Sequence, residues 1–301
     1  MGKIFSPGKL LLTSEYTVLD GALALAVPTQ QGQEFFFEEI ADAKSLVVWE
    51  AYHLNKLWLR AKINYENWTV LETNIPQSAE FVVKVLKNVQ RLSQSKFQDN
   101  SSYHLKTNLQ FPANFGLGSS STLMNNLAEW SAIDAFLLND DSLGGSGYDI
   151  AIAKEKAALL FQIKEKKREW QRIDFNPEFK NELIFIHLNQ KQDSREGIKM
   201  YKSVEKSAEI IQQFTDFTKE IIQTKTIEKF SEIMALHEKT LSRIIKMETV
   251  KDQIFPDCPT FVKSLGAWGG DFVMSSKFEN HVEYFTAKGF PTIFEWKEMI
   301  L

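Results

Sequence analysis

Cysteine is nearly absent: Cys258 stands alone among 301 residues. One thiol excludes a disulfide scaffold and any zinc site built from several cysteines. With no recognisable leader segment, this predicts a reducing compartment such as the cytoplasm. Basic excess is absent too. Lys plus Arg total 35 against 39 Asp plus Glu, a net charge of −4, so neither nucleic acid nor an anionic membrane surface is announced as a partner. No apolar run approaches the ~20 residues of a membrane-spanning helix. The longest, such as Gly21–Pro28, have the length of a core strand. With 8 Pro, 14 Gly, 44% apolar and 25% charged residues, the chain is not disordered, collagen-like or of low complexity.

What is there alternates between two periods. Residues 1–12 read as a strand interrupted by Ser6-Pro7-Gly8. Glu34–Glu39, Ser45–Ala51 and Lys56–Asn64 are short, aromatic and β-branched segments suited to a meander. Gln77–Leu92 carries Phe81, Val82, Val85, Leu86 and Val89 at helical spacing. Tyr103–Leu109 alternates as a strand, and Ser119–Leu138 returns to helical periodicity. Ala151–Ile163 is expected as a helix and Lys164–Arg168 as a charged turn or helix end. Leu183–Leu188 is expected as a strand, and two amphipathic helices near Val204–Ile222 and Ile227–Met247 follow. Apolar segments around Phe272–Ser275 and Pro291–Trp296 end the chain. Helix and strand mix in both halves, which predicts two α+β domains dividing near residues 165–185.

Three small patterns carry little. Met1-Gly2-Lys3-Ile4-Phe5-Ser6 fits a myristoylation template, but an N-terminal strand explains it better. Asn67-Trp68-Thr69 and Asn100-Ser101-Ser102 are glycosylation sequons, which mean nothing without secretion. His237-Glu238 lacks the second histidine of a metalloprotease helix and is expected as an exposed helix pair.

The most informative segment is Phe111-Pro112-Ala113-Asn114-Phe115-Gly116-Leu117-Gly118-Ser119-Ser120-Ser121-Thr122, between a strand and a helix. Gly116 and Gly118 permit positive φ and close backbone approach. The first N–H groups of the helix have no partners within it, and the helix dipole adds to their pull on an anion. Hydroxyls at Ser119, Ser120 and Ser121 suit a cap or a magnesium ligand. Spacing alone leaves two readings open, a phosphate cradle or a plain N-cap behind a flexible loop. The segment lacks the lysine of a Walker A loop, and Ser121 stands where a dinucleotide fingerprint needs its third glycine.

Three other segments join it. Ser6-Pro7-Gly8-Lys9 leads to Ser14-Glu15-Tyr16 near the start. Gly144-Gly145-Ser146-Gly147-Tyr148-Asp149-Ile150-Ala151 places a carboxylate at a glycine-to-helix junction. Gly266-Ala267-Trp268-Gly269-Gly270-Asp271 is a further glycine-rich turn.

The set resembles the GHMP kinases, the superfamily of galactokinase, homoserine kinase, mevalonate kinase and phosphomevalonate kinase. Ser6–Gly21 is similar to the first motif, Pro-Gly-Lys followed by a Gly-Glu-His/Tyr segment and Val-Leu-x-Gly. Gly116–Ser121 is similar to the second, Gly-Leu-Gly-Ser-Ser-Ala, and Gly266–Asp271 to the third, Gly-Ala-Gly-Gly-Gly. The string at 147–151 resembles a bacterial subgroup named for Gly-Tyr-Asp-Ile-Ala. The likeness spans nearly the whole chain in the right order.

It implies an α+β fold of two domains: residues 1–170, a nucleotide-binding domain with a left-handed β-α-β crossover, and residues 171–301, a ferredoxin-like domain. Substrates would meet in the cleft between them. It implies ATP and Mg²⁺ as cofactors and a small-molecule acceptor as partner; a homodimer stays open, since composition does not address assembly. Pro112, Gly116, Leu117, Gly118, Ser119, Ser120 and Ser121 would hold the nucleotide, with Ser120 at the metal. Asp149 and Lys9 would be catalytic. Ser146, Gly147, Gly266, Ala267, Gly269 and Gly270 would lie against the acceptor. Phosphoryl transfer needs positioning and charge compensation, which a helix N-terminus, Mg²⁺ and a lysine supply. Asp149 could then accept the acceptor's proton or orient its hydroxyl, with Lys9 lowering the pKa of both groups. The plainer alternatives are a helix cap for Asp149 and a solvated lysine for Lys9.

This sequence departs from the pattern in three places. Relatives carry a metal-binding glutamate between the second motif and the catalytic aspartate, but residues 122–148 hold only Glu129. It lies about two and a half helical turns beyond the loop. Asp140, Asp141 or water are the substitutes. Trp268 replaces a small residue of the third motif, where it would narrow the pocket or stack on a ligand. Asp271 adds a negative charge not expected beside phosphates.

The first motif, through Ser14-Glu15-Tyr16-Thr17-Val18-Leu19-Asp20-Gly21, is most similar to the mevalonate and phosphomevalonate kinase branch of isoprenoid biosynthesis. Glu15 would contact a substrate hydroxyl or only cap the turn. Arg195, with Lys191 nearby, falls where that branch has a polar turn; it is an anion partner or part of a plain polar loop. A sugar or amino-alcohol kinase, a decarboxylase acting on a diphosphorylated acid, and a silent ligand-binding protein of the same fold are the alternatives.

Overall fold

An extended N-terminal stretch with alternating burial forms β1 (Gly2–Leu11), and a longer one forms β2 (Ala24–Ile40). The sequence predicts a break at Ser6-Pro7-Gly8, but β1 runs through it. Pro7 offers no N–H, yet among the described residues β1 pairs with a single strand, β2, and such a strand tolerates proline. The computed structural model describes residues 1–190, 194–266 and 268–301, and of residues 194–196 the backbone alone. By their contacts these form two units: Met1–Gly8, Gln31–Ala113 and Leu117–Lys156, and then Lys9–Gln30, Asn114–Gly116 and Ala157–Leu301.

In the first unit β3 (Leu46–His53), β4 (Lys56–Asn64) and β5 (Thr69–Thr73) form an antiparallel meander. The meander expected to begin at Glu34–Glu39 begins at β3 instead, because another strand lies between those residues and β3. β6 (Ser102–Leu109) returns parallel to β3 and antiparallel to residues 33–40 of β2. Helix α1 (Pro76–Leu92) starts on a proline, which suits a first turn with no intrahelical N–H partners. Its Val82, Val85, Leu86 and Val89 are buried at helical spacing, and it packs on β4 and β5. Each such side chain contributes about 1.5–3 kcal/mol.

Three further helices, α2 (Ser119–Ser131), α3 (Ala135–Ser142) and α4 (Tyr148–Glu155), carry the loops of interest. The helix expected over Ser119–Leu138 is two. Ala132 turns left-handed at φ 55, and the Asp134 side chain accepts from Phe136 and Leu137 N–H at 2.8 and 2.9 Å to start a new helix. Local capping thus overrides a continuous periodicity. The helix expected over Ala151–Ile163 also stops early, at left-handed Lys156, and its apolar remainder becomes β7 (Leu159–Lys164). Of the charged stretch expected as a turn or helix end, left-handed Glu165 and Lys166 form the turn, joining β7 to β8 (Lys167–Arg172), while its remaining residues belong to the two strands.

In the second unit β7 pairs with β8 and with residues 24–26 of β2. A smaller sheet holds β9 (Leu183–His187), β10 (Val262–Leu265), β11 (Phe272–Ser276) and β12 (Ile293–Glu295), all antiparallel, in the order β10-β11-β9-β12. Between β9 and β10 come α5 (Ser194–Lys202), α6 (Ala208–Gln223), α7 (Ile227–Ile245) and α8 (Val250–Ile254). Helix α9 (His281–Ala287) links β11 to β12, and α10 (Trp296–Met299) follows. Numbered along the chain, the sheet order is 2-3-1-4, the split arrangement of a ferredoxin-like domain. All five residues of β9 are buried, as a central strand requires. Among the described residues no helix is long and apolar enough to cross a membrane.

Candidate active site

Gly118 sits at φ 86 and is the N-cap of α2, and no side chain caps the helix behind it. The first N–H groups of α2 are therefore left to a ligand or water. The three serines divide their roles. Ser120 is exposed, Ser119 half-buried, and Ser121 is turned in, donating from Oγ to Gly118 O at 2.8 Å. Pro112 is half-buried and Leu117 buried, so Leu117 anchors the loop from below. Helix α2 packs against α4.

The Gly144–Gly147 turn leads into α4. Gly147, at φ 90, is the N-cap, so Asp149 is not the cap. The Asp149 carboxylate accepts a local hydrogen bond from Ile150 N–H at 3.0 Å. Asp149 and Ser146 are both half-buried. The carboxylates nominated for a metal lie elsewhere. Asp141 pairs with Arg91, Glu129 sits 3.9 Å from Lys156, and Asp140 is exposed. No cluster of three or more metal-ligating side chains occurs among the described residues.

In the second unit Lys9 is not a solvated lysine: its Nζ donates to Gly116 O at 2.8 Å. Asp271 presses on the same glycine. A Cβ on Gly116, which has φ +67, would lie 2.2 Å from the Asp271 carboxyl carbon, so only glycine fits. Asp271 itself is left-handed (φ 55) and buried, its main chain tied to Leu188 N and Gln190 O. Gly266 and Gly269 both have φ +82, and Gly270 is buried. Trp268 packs inward. It is buried, and its indole N–H donates to Glu248 O at 3.2 Å while its main-chain N–H donates to the Tyr16 hydroxyl at 3.0 Å. Ala267, Lys191 and the Arg195 side chain lie outside the described residues.

Glu15 looks inward. It is 1% exposed, and its Oε1 accepts from Lys263 Nζ at 2.5 Å. Lys263, on β10 and fully buried, also lies 3.5 Å from Glu238 Oε2 and donates to Ser264 O at 2.6 Å. Glu238 Oε1 accepts from Ser264 Oγ and N–H at 2.7 and 3.2 Å. His237 and Glu238 are therefore not an exposed pair: both are buried where α7 lies between α6 and β10. Burial pushes both carboxyls above their ordinary range against the opposing pull of Lys263. Burial, then the Lys263 charge, holds His237 well below its ordinary value. His237 Nε2 accepts the Ser14 N–H at 2.8 Å, which places the ring proton on Nδ1. Ser14 and Tyr16 flank Glu15 with φ 64 and 60. A tyrosine in that region is costly, so the turn is held by its surroundings. Sequence reasoning missed Lys263 and Glu238. The one available signal was a lysine two residues before the apolar-to-glycine step at Leu265-Gly266.

No family model matches the sequence, and no curated protein matches it. Solved structures do match. The Methanococcus jannaschii mevalonate kinase aligns at TM-score 0.69 and 18% identity, over 97% of this chain and 96% of that one. The Streptococcus pneumoniae phosphomevalonate kinase, in complex with phosphomevalonate and AMPPNP, aligns at 0.70 and 14%, over 98% and 100%. The Lactococcus lactis galactokinase complexed with galactose aligns at 0.68 and 12%, over 99% and 93%. The chain shares the fold of these kinases. Lys9, Glu15, Trp268 and Asp271 belong to one unit. Ser119, Ser120, Ser121 and Asp149 belong to the other.

Proposed function

We propose that this chain is an ATP-dependent small-molecule kinase that phosphorylates mevalonate or phosphomevalonate. The observation that carries the reading is the uncapped start of α2 behind left-handed Gly118, with an exposed Ser120 hydroxyl beside it. Free N–H groups at a helix start suit the phosphates of a nucleotide. The donor set also fits Mg²⁺, which keeps water and phosphate oxygens and needs few protein ligands. Ser120 would hold, together with the nucleotide's own phosphates, the Mg²⁺ that neutralises charge on the transferring group. The amides that open α2, with Ser119, bind the phosphate oxygens. Lys9, fixed on Gly116 O, places a positive charge at the loop's entry. Asp149 accepts the acceptor's hydroxyl proton or orients that hydroxyl. Gly266, Gly269 and Gly270 let the main chain approach the acceptor closely. Glu15 acts from behind as the anchor of the first-motif turn. The mevalonate-type acceptor rests on the first motif, together with the fold shared with a mevalonate kinase and a phosphomevalonate kinase.

A second reading rests on Asp271, whose carboxylate lies against Gly116. A charge there disfavours phosphate and suits a silent ligand-binding protein. ADP release with Mg–ATP separates the two. The acceptor panel is mevalonate, phosphomevalonate, diphosphomevalonate, homoserine and several sugars, run beside Asp149→Asn. Turnover with one acceptor, lost in the variant, supports the kinase. ATP binding without turnover supports the silent protein, and no ATP binding removes the nucleotide reading.

A further inference from the structure

Two adjacent asparagines in the middle of α2 break two rules at once. Asparagine is a poor helix former, and Asn125 and Asn126 are both buried, at 4% and 0% exposure, where an unpaired amide is costly. Their side chains are not idle. Asn125 Nδ2 donates to Ala153 O at 3.3 Å and to Ser6 Oγ at 2.9 Å. The Ser6 hydroxyl donates to Asn126 Oδ1 at 2.8 Å, and Asn126 Nδ2 donates to Gln33 O at 3.0 Å. Both ends of this chain are main-chain carbonyl oxygens, which only accept. The direction of every bond between them is therefore fixed, and neither amide can flip without breaking the chain.

The elements joined are the ones that carry the chemistry of the first unit. Asn125 lies six residues past Ser119, the start of α2. Ala153 lies one turn past Asp149 on α4, and Ser6 lies on β1, three residues before Lys9 in the chain. We infer that Asn125, Asn126 and Ser6 are positioning residues: a buried brace that fixes the serine loop of α2 and the Asp149 turn of α4 against β1. An apolar pair at 125–126 would pack α2 without fixing its slide along α4, whereas directional bonds to a main-chain carbonyl fix that slide. Small displacements matter here, because a misplacement of about 1 Å can cost about 100-fold in rate. The inference rests on the kinase reading for the roles of the two ends, though not for the brace itself.

The test uses Asn125→Ala and the milder Ser6→Ala, each checked for a cooperative unfolding transition. Amide hydrogen exchange is followed over residues 119–124 and 148–153, with β3 and β4 as internal reference. Exchange at the first hydrogen-bonded amides of α2 and α4, from Thr122 and Ala151 onward, is expected to rise about tenfold or more in Asn125→Ala, and less in Ser6→Ala, with the reference unchanged. With Mg–ATP and the acceptor panel, turnover at saturating ATP is expected to fall about 10- to 100-fold at a temperature where both variants are folded. Unchanged exchange at these amides in both helices overturns the brace. Raised exchange with unchanged turnover at saturating ATP also overturns the positioning role and leaves a purely structural network. If the unaltered protein neither binds ATP nor turns over any acceptor, the kinase reading falls and the positioning role with it, while the exchange result still decides the brace.

Discussion

Lys263→Met isolates the charge at the centre of the buried cluster. The ammonium of Lys263 is fully buried, 2.5 Å from Glu15 Oε1 and 3.5 Å from Glu238 Oε2. Methionine is flexible and close in length, so the change removes the charge and largely keeps the packing. Two carboxyl groups then lie buried with no cation. Breaking a buried ion pair from one side costs about 3–5 kcal/mol, which for a chain of this size lowers Tm by about 6–20 °C. The pH dependence follows from the sign of the shifts. Both carboxyls already sit above their ordinary value of 4.5, because burial outweighs Lys263. A raised folded pKa gives stability that is complete below the unfolded value and lost as pH rises through the folded one. Removing Lys263 raises both further, so the variant's deficit is small near about pH 5 and grows toward about pH 8. Adding Glu15→Gln and Glu238→Gln to Lys263→Met should recover most of the loss, since replacing a whole buried ionic group by neutral residues is often neutral. Calorimetric Tm at the two pH values is the assay. A fall of less than about 2 °C at both, or a deficit larger at the acidic pH, would refute this account of the cluster.

His237 acts in the opposite sense. Its folded pKa is below 6.5, so it contributes stability above that value which is lost as pH falls. Urea titrations should show His237→Gln lacking a slope of up to about 1.4 kcal/mol per pH unit on the acid side of neutrality. Ala132→Gly, at the left-handed end of α2 (φ 55), should stabilise the protein by about 1 kcal/mol in the same assay. Asp149→Asn should lower turnover by about 10²- to 10⁴-fold with ATP binding retained, and full turnover would deny Asp149 a role in proton transfer. Asp271→Asn keeps the shape against Gly116 and removes the charge, so ATP should bind about tenfold tighter by calorimetric titration. Weaker binding would mean that the carboxylate assists the nucleotide.

The fold was legible wherever one period held without interruption. Gln77–Leu92, Tyr103–Leu109 and the two long helices of the second half stand close to where their patterns placed them. It was illegible where a single residue changes the backbone's direction. Ala132 and Lys156 are left-handed with no glycine to announce it. An apolar run continuing past each reads as helix, because periodicity carries no record of a cap. β5 and β8 were missed because neither has a buried face to give an alternating pattern. The candidate site was legible in its glycine turns, whose residues are restricted by backbone geometry. It was illegible in Lys263, Glu238, Asn125 and Asn126, since a polar residue in a strand or helix looks solvent-facing until its partner, up to 248 residues away, is known. Trp268 was hard to read for the converse reason: an aromatic in a glycine-rich turn suggests a ligand, and this one is buried with its indole N–H on Glu248 O.

These hidden polar groups share one feature. Each holds a segment that glycine or a left-handed residue has left free to move. Ser14-Glu15-Tyr16 has positive φ on both sides of Glu15, and it is gripped by His237 on the Ser14 N–H and Lys263 on the Glu15 carboxylate. The Tyr16 hydroxyl meets the Trp268 N–H, which ties the first-motif turn to the third. Gly116 and Gly118 free the second-motif loop, and Lys9 holds one end while Ser121 and the asparagine brace hold the other. Glycine gives a phosphate loop the backbone shape it needs but no rigidity, and strained turns persist only when their surroundings over-determine them. A preorganised site therefore needs fixed polar partners behind it. In this chain those partners are buried ions in one unit and buried amides in the other. That is why Lys263→Met and Asn125→Ala, which touch no glycine, are the substitutions expected to loosen the glycine turns.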